Sequence, residues 1–582
     1  MRPHSFPCLS RTAAALALAL ALMLSACGGD DAQPTASTQT VEQGTAAPAV
    51  PNTPAPQPDA ASTVVTACSN CAALDAHTYA GAGIGVWQHV NDTNDTLDVP
   101  VRIDGLTGQD VTLVFANTTG TAQPMPPISL TATRQPWQLD RIGASVANAS
   151  AASIVGRSMH DAIGEFNRRG WVDFAGERTA QPGLYRSVQP VDPGHVGDSR
   201  TWYHSDNTAR TATLMRQAQV SDGTTVNLWV EADEWAPSRI GTTLADTLMN
   251  AFVPAGRIYD ILTAVGGPLW GPHNYTNLLS GNGRPIDIVI LNFDRNGEPF
   301  GDVGYFFSRN AIKRTATENL YGNDAISLYL DSETLYLGGA QGVQNSTMTL
   351  AHEGMHMQNF YRRGVLHGWP AMYDSWLEEG TAMMIEDFAA EGITPGYSPL
   401  ADVRYLDYVA RREGSYNCSL VHWTPFTNTC ESYSVSGSFG AFLNRQLGLG
   451  FYKTLLYNVS SPDTLAVLDA AIREAVPGSG FADQWRKFSV TAAGMMVSPF
   501  TAGYGFPERF DGGFHLNKIN PLFLQVFRTY VTTLPAAIQP YASVPILRLA
   551  VKGSFTEVVK VPPGITLSII VQDFGDVEDT ED

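Results

Sequence analysis

The stretch Leu350-Ala351-His352-Glu353-Gly354-Met355-His356-Met357-Gln358-Asn359-Phe360 decides how the rest of the chain is read. No proline interrupts it, Gly354 is its poorest helix former, and Met348, Ala351 and Met355 recur at helical spacing, so a helix is predicted. On a helix His352 and His356 stand one turn apart on the same face, where two imidazoles can reach one metal ion. Glu353 points beside them. This is zinc-ligand spacing with a base next to it.

A catalytic zinc takes three protein ligands and keeps one position open, and the third ligand is commonly a carboxylate from a neighbouring helix. The stretch Ser375-Trp376-Leu377-Glu378-Glu379-Gly380-Thr381-Ala382-Met383-Met384-Ile385-Glu386 supplies a candidate in Glu379. Taken together, the two stretches resemble the gluzincin metallopeptidases, whose second motif reads W-L-N-E-G-x-A. Aligning on the E-G pair places the family's glutamate ligand on Glu379 and its asparagine on Glu378, a departure from the pattern. The spacing from His356 to Glu379 is slightly longer than in the thermolysin and aminopeptidase branches. With Gln358-Asn359 after the second histidine, the chain is most similar to the hyicolysin family of bacterial neutral metallopeptidases. The resemblance is specific over residues 340–390 and diffuse over 195–515.

The resemblance implies an α+β zincin-type fold: a mixed β-sheet lobe, an active-site helix and a helical C-terminal lobe, with the cleft between. It implies one catalytic Zn²⁺ held by His352, His356 and Glu379, and Glu353 as the general base that takes a proton from the activated water. Protein or peptide substrates are then expected, cleaved at internal bonds. The aminopeptidase branch places an oxyanion-stabilising tyrosine after the third ligand, and Tyr433 occupies a similar place here. His367, His422 and His515 are the other candidates for that role, and each reads more readily as structural. A ligand imidazole usually gives its second N–H to a carboxylate or carbonyl, for which Glu386 or Asp387 are available, although both also suit a solvated face or an ordinary ion pair.

Composition bounds these expectations. A chain of 582 residues with 16% charged and 44% hydrophobic residues exceeds one ordinary core. The formal net charge is −20, and removing a leader that carries Arg2 and Arg11 makes it −22. So acidic a chain argues against nucleic acid or anionic lipid surfaces as partners. Residues 1–26 read as a lipoprotein signal peptide: two arginines, an apolar run over 12–24, then Leu24-Ser25-Ala26-Cys27, with Cys27 the lipidated residue and Gly28 pointing to the outer membrane. Ordinary secretion, with a cut nearby, is the alternative. The expected location is the cell envelope, lipid-anchored, and the expected state a monomer.

Residues 27–63 are rich in Ala, Thr, Gln and Pro and read as a disordered tether. Residues 64–135 carry short alternating segments between Asn/Asp/Gly turns and read as a small β-domain. Asn91-Asp92-Thr93-Asn94-Asp95 lacks EF-hand spacing and reads as a solvated turn, so calcium has no support. Residues 136–195 form a helical connector, in which His160 is expected at the surface. The peptidase domain spans 196–515, where Val226-Asn227-Leu228-Trp229-Val230-Glu231 and Ile286-Asp287-Ile288-Val289-Ile290-Leu291 are strands of one sheet with a helix at 243–253 between them. Ala325-Ile326-Ser327-Leu328-Tyr329-Leu330 follows, and the resemblance makes it the sheet edge on which a substrate peptide lies. Residues 516–582 are a C-terminal β-segment with an acidic tail. Cys68/Cys71 and Cys418/Cys430 read as two local disulfides, with a zinc or redox pair the rival for Cys68-Ser69-Asn70-Cys71.

Two other functions stay open on sequence. A surface lipoprotein could keep the fold as a binding or adhesion module, but the intact Glu353 has no use there. An aminopeptidase needs an acidic anchor for the substrate's amine, and no G-x-M-E-N stretch is present.

Overall fold

The computed structural model describes residues 63–130, 159–178, 191–281, 283–410, 415–424, 430–497 and 500–572. The segments expected to be leader and tether, with Cys27, most of the expected connector and the acidic tail lie outside the described residues. Among the described residues no helix is long and apolar enough to cross a membrane.

The chain opens with strands β1 (Val65–Thr66), β2 (Gly85–Val90), β3 (Leu97–Asn117) and β4 (Gln123–Pro124). Along the first half of β3, Val99, Val101 and Ile103 are buried while Asp98 and Arg102 are exposed, the alternation of a sheet with one face in water. Its second half, from Val111 onward, is buried on both faces. Leu113 and Phe115 face one core, and Val114 packs with Val490 and Ala493 of a helix that covers the other side. The last two strands of the described chain, β14 (Ser543–Val561) and β15 (Ile565–Gln572), belong to this same sheet, in the order β1-β2-β15-β3-β14. The segments read separately as 64–135 and 516–582 thus share one hydrogen-bonded sheet. Cys68–Cys71 and Cys418–Cys430 form the two expected disulfides, with Cα separations of 5.9 and 5.1 Å.

A second sheet holds β5 (Ser199–Tyr203), β6 (Ala209–Gln219), β7 (Thr225–Glu231), β8 (Ile286–Leu291), β9 (Gly304–Phe306) and β10 (Ile326–Asp331), in the order β5-β6-β7-β8-β10-β9. β7, β8 and β10 run parallel, and β8 and β10 are buried at every position, which is why they read as nearly continuous apolar runs. The crossover between β7 and β8 holds the expected helix, α2 (Thr242–Phe252), and a second one, α3 (Ile258–Gly266). One expectation is corrected: β10 is not the edge. β9 pairs antiparallel outside it, because the chain doubles back through 304–306 before β10 begins. A three-residue strand carries too little alternation to be seen in sequence.

Helices α4 (Ser332–Leu337), α5 (Gly339–Asn359) and α6 (Ser375–Ile393) follow, then α7 (Leu406–Ala410), α8 (Ser432–Tyr457), α9 (Thr464–Ala475) and α10 (Phe481–Gly494), with α10 the cover over β3 and β15. Short strands β11 (Arg509–Asp511), β12 (Phe514–Leu516) and β13 (Ala537–Ile538) lead to β14. α5 contains the helix expected from Leu350 to Phe360, and from Ser346 onward it is buried nearly all round. Gly354 lets it lie close to α3: a Cβ there would meet Leu262 Cδ1 at 2.5 Å. Gln358 adds to this seam by donating to Leu262 O at 2.9 Å. The helical backbone continues beyond α5 as a π turn, Phe360–Val365. The whole is an α+β fold in which a mixed sheet faces a helical lobe.

Candidate active site

α5 and α6 pack side by side and present their acidic and imidazole side chains to each other. His352 and His356 stand with ring centroids 4.7 Å apart. His352 gives Nδ1–H to Glu386 Oε1 at 2.5 Å, and His356 gives Nδ1–H to Glu378 Oε1 at 3.0 Å. Fixing both Nδ1 atoms in this way leaves both Nε2 atoms to face one point. Glu379 Oε2 lies there, 3.1 Å from Nε2 of His352 and 3.6 Å from Nε2 of His356. A tetrahedral ion held at about 2.0–2.1 Å keeps its ligand atoms about 3.3 Å apart. Glu379 Oε2 therefore stands at zinc-ligand spacing from each imidazole nitrogen. His352, Glu353 and His356 also offer ligand atoms within 4.8 Å of one another. Glu353, however, is drawn towards the sheet, where its Oε2 accepts from the backbone N–H of Phe306 at 2.7 Å.

The electrostatics point the same way. Glu353, Glu378, Glu379 and Glu386 surround two imidazoles, an excess of negative charge that a divalent cation would balance. Burial disfavours a charged His352, but Glu379 and Glu386 outweigh it and push the ring up to about 9. His356 is likewise raised well above the usual value: burial opposes the charge, and Glu379 outweighs it. The carboxyl of Glu379 is held well below the usual range by His356 and His352, although burial opposes this.

Glu378, which departs from the family's asparagine, thus supplies the carboxylate partner of His356, and Asn359 Nδ2 braces its other oxygen at 3.2 Å. Of the two acids considered as histidine partners, Glu386 has that position. Asp387 points away and pairs with the buried Arg445 at 2.6 Å.

Tyr433, in the first turn of α8, lines a cavity with His352, Glu353, Glu386, Met348 and Arg404. Its ring lies under the Arg404 guanidinium, 5.1 Å from the ring centroid, and against Trp423. Burial first, and then the charge of Glu379, raises its hydroxyl well above the usual tyrosine range, so it stays protonated as a donor. His367 and His422 are exposed and line neither cavity beside Glu353, and His515 pairs with Glu508 at 2.7 Å.

Two residues escaped sequence reading. His160, expected at the surface, lines the cavities on both sides of Glu353 from helix α1 (Met159–Arg168), which precedes the six-stranded sheet. Its Nε2 lies 3.1 Å from Asp302 Oδ1, in the loop before β9. No motif marks either residue, since their meeting depends on how α1 docks.

Well over half of the chain, residues 206–572, matches the family model described as Peptidase M30. The chain belongs to the Peptidase M30 family. This is the hyicolysin family that the two motifs resemble, and the protein is a metallopeptidase by membership. The match takes in His352, Glu353, His356, Glu379 and Tyr433, runs on through β15, and leaves α1 outside. A second model, a domain of unknown function (DUF8571), matches residues 66–130, which hold β2 and β3. Among curated proteins none matches the chain.

Proposed function

We propose that this M30 peptidase is a zinc-dependent endopeptidase, with His352, His356 and Glu379 holding the ion and Glu353 acting as general base. The observation that carries the reading is the triangle of two Nε2 atoms and Glu379 Oε2, at 3.1 and 3.6 Å, with Glu353 turned aside. When bound, zinc supplies a Lewis acid that makes water acidic near neutral pH and polarises a carbonyl. Glu353 takes a proton from the attacking water and delivers it to the leaving nitrogen. The Phe306 N–H keeps one of its oxygens in place and leaves the other for that proton. Tyr433, with its hydroxyl protonated in the cavity wall, donates to the carbonyl oxygen as it gains charge.

Endopeptidase action is favoured because cavities open on both sides of Glu353, one towards Tyr433 and Arg404 and one towards Phe360, Met372 and Glu378. A chain can continue in both directions from the scissile bond. The edge of β9 supplies a register at Gly304: by the alternation of an antiparallel ladder it turns its N–H and C=O away from β10, and it lines the first cavity, whereas those of Phe306 are taken by Glu353 and Asn167.

The leader reading adds export and a lipid on Cys27, which would tether the enzyme at the cell envelope through residues 27–63. The experiment that tests the catalytic reading measures zinc content and casein hydrolysis, with and without a chelator, for the wild type and Glu353→Gln. One zinc per chain in both, with chelator-sensitive cleavage only in the wild type, is expected. Zinc bound with no cleavage of casein would sink the reading. For the tether, Cys27→Ser should move the protein from the membrane to the soluble fraction.

A further inference from the structure

α1 is not covered by either family model, yet it is fastened to the sheet edge beside Glu353. Asn167 gives Nδ2–H to Phe306 O at 2.8 Å and accepts from Ser308 N at 2.8 Å, so its side-chain amide takes the place of a strand partner along β9. Ile163 is buried in the core on that side of the sheet, and Arg168 bonds Asp374 at 2.8 Å. Just after the helix, Trp171 is fully buried and packs edge-on against Phe360, the residue that follows α5. These contacts bring the first turn of α1, with His160, over the cleft.

His160 is 29% exposed there, between the two cavities that meet at Glu353. Its Nε2–H is taken by Asp302, and among the described residues its Nδ1 has no hydrogen-bond partner. An imidazole bonded to a carboxylate through one nitrogen offers an N–H donor at the other when it is protonated. Burial opposes the charge, but Asp302 first and then Glu353 and Glu379 outweigh it and push the ring up to about 9, while His160 in turn holds Asp302 below its usual value. A bound cation would offset the contribution of Glu379. The ion pair with Asp302 would remain.

Resting on the endopeptidase reading above, we infer that His160, held by Asp302, is a catalytic residue whose Nδ1–H donates to the scissile carbonyl oxygen as that oxygen becomes an oxyanion. In this step the water oxygen bonds to the carbonyl carbon and the C=O π pair moves to oxygen, while Glu353 receives the water proton. The pair then returns to re-form C=O, the C–N bond breaks with its electrons on nitrogen, and nitrogen takes the proton from Glu353. His160 keeps its own proton throughout. The catalytic unit of this peptidase therefore extends upstream of the family match to α1.

The test compares the zinc-loaded full chain with His160→Gln and Asp302→Asn. Losing one oxyanion donor typically costs about 10²–10³-fold in kcat. For His160→Gln that loss is expected with KM within about threefold and zinc content unchanged, together with a loss of about 10²-fold in calorimetric affinity for a phosphinic peptide that mimics the tetrahedral state. Binding of a cleavage-product peptide should not move. The titratable groups that share the two cavities of His160 are Asp302 from the loop before β9, His352, Glu353 and His356 from α5, and Glu378, Glu379 and Glu386 from α6, with Arg168, Tyr305, Tyr373, Tyr433 and Arg404 on the walls. Removing the Asp302 charge lowers the pH at which the ring loses its proton. The basic limb of the Asp302→Asn profile in kcat should therefore fall at lower pH than in the wild type. An unchanged kcat in His160→Gln, or a loss carried by KM or by missing zinc, would overturn the inference. If that variant does not fold, an unshifted Asp302→Asn profile would overturn it. A wild type that binds zinc but cleaves nothing would instead defeat the endopeptidase reading itself.

Discussion

Phe306 joins the edge strand to the active-site helix through one hydrogen bond: its N–H donates to Glu353 Oε2 across 2.7 Å. The position of the carboxylate therefore depends on how closely β9 lies against α5. Gly304 sets that approach, since a Cβ there would stand 2.7 Å from the carbonyl oxygen of Tyr329 and 2.5 Å from Thr349 Cγ2. The first neighbour is backbone and cannot turn aside. Gly304→Ala should push β9 away from α5 and draw Phe306 off Glu353. A fall in kcat/KM of about tenfold or more is expected from a misplacement of this kind, with zinc content unchanged. Wild-type kinetics in this variant would show that the bond does not position Glu353.

The two histidines differ from ordinary surface imidazoles in having a carboxylate on each Nδ1. Partners of this kind typically account for about 10–100-fold in metal affinity each. Glu386→Gln and Glu378→Gln should therefore weaken zinc by that order in competition with a chromophoric chelator. Glu379→Gln, which removes an oxygen from the ligand triangle itself, should weaken it more than either. Equal losses in all three would argue that Glu379 is one more supporting acid and not a ligand.

How much of this was legible in the sequence follows from the range of each interaction. His352, Glu353 and His356 lie within one helical turn or so, so helical spacing pointed to them, and Glu379 was singled out by the resemblance of its short motif. Glu386 was within reach because two helical turns separate it from Glu379. The role of Glu378 was hidden, since a carboxylate in an asparagine's place reads as a departure until its distance to His356 is known. β9 was missed because three residues carry no usable alternation, and the edge was given to β10 in its place. β15 inserts between β2 and β3, partners more than 400 residues away in the chain, and no local pattern encodes that pairing. His160 looked like surface because a histidine on a short amphipathic helix usually is, and only the docking of Asn167 on Phe306 and Ser308 turns it inward.

His204 gives a pH dependence of stability independent of the metal site. The ring is 3% exposed, bonded through Nδ1 to the Tyr305 hydroxyl at 3.0 Å and packed on Phe293, and burial pushes it down to about 4. Above about pH 6.5 the ring is neutral both folded and unfolded, and its full contribution is present. As pH falls from 6.5 towards 4 the unfolded chain binds a proton that the folded one refuses, so stability is lost, in all by about 3 kcal/mol. His204→Gln keeps a polar group for Tyr305 but does not titrate. The difference in urea midpoint between wild type and variant should shift against the wild type across this window, and parallel pH curves would mean that the ring takes up its proton in place.

Asp387 and Arg445 offer the converse case, a buried acid next to the candidate centre that holds structure and not metal. Both side chains are nearly inaccessible, at 2% and 1%, and the guanidinium meets both carboxylate oxygens, at 2.6 and 3.1 Å. Arg445 also ties α8 to Asn517 O at 2.9 Å. Removing one partner of such a pair strands the other charge in the interior, at a typical cost of about 3–5 kcal/mol, whereas replacing both by apolar residues of similar volume is often close to neutral. Arg445→Met should lower the unfolding free energy read from urea titration by an amount in that range, and Asp387→Leu with Arg445→Met should recover most of it. Zinc affinity of the folded variants should stay within about twofold of the wild type, because Glu386, one residue earlier on α6, is the acid that reaches His352. A double variant that folds normally but has lost zinc would place Asp387 among the groups that hold the ion.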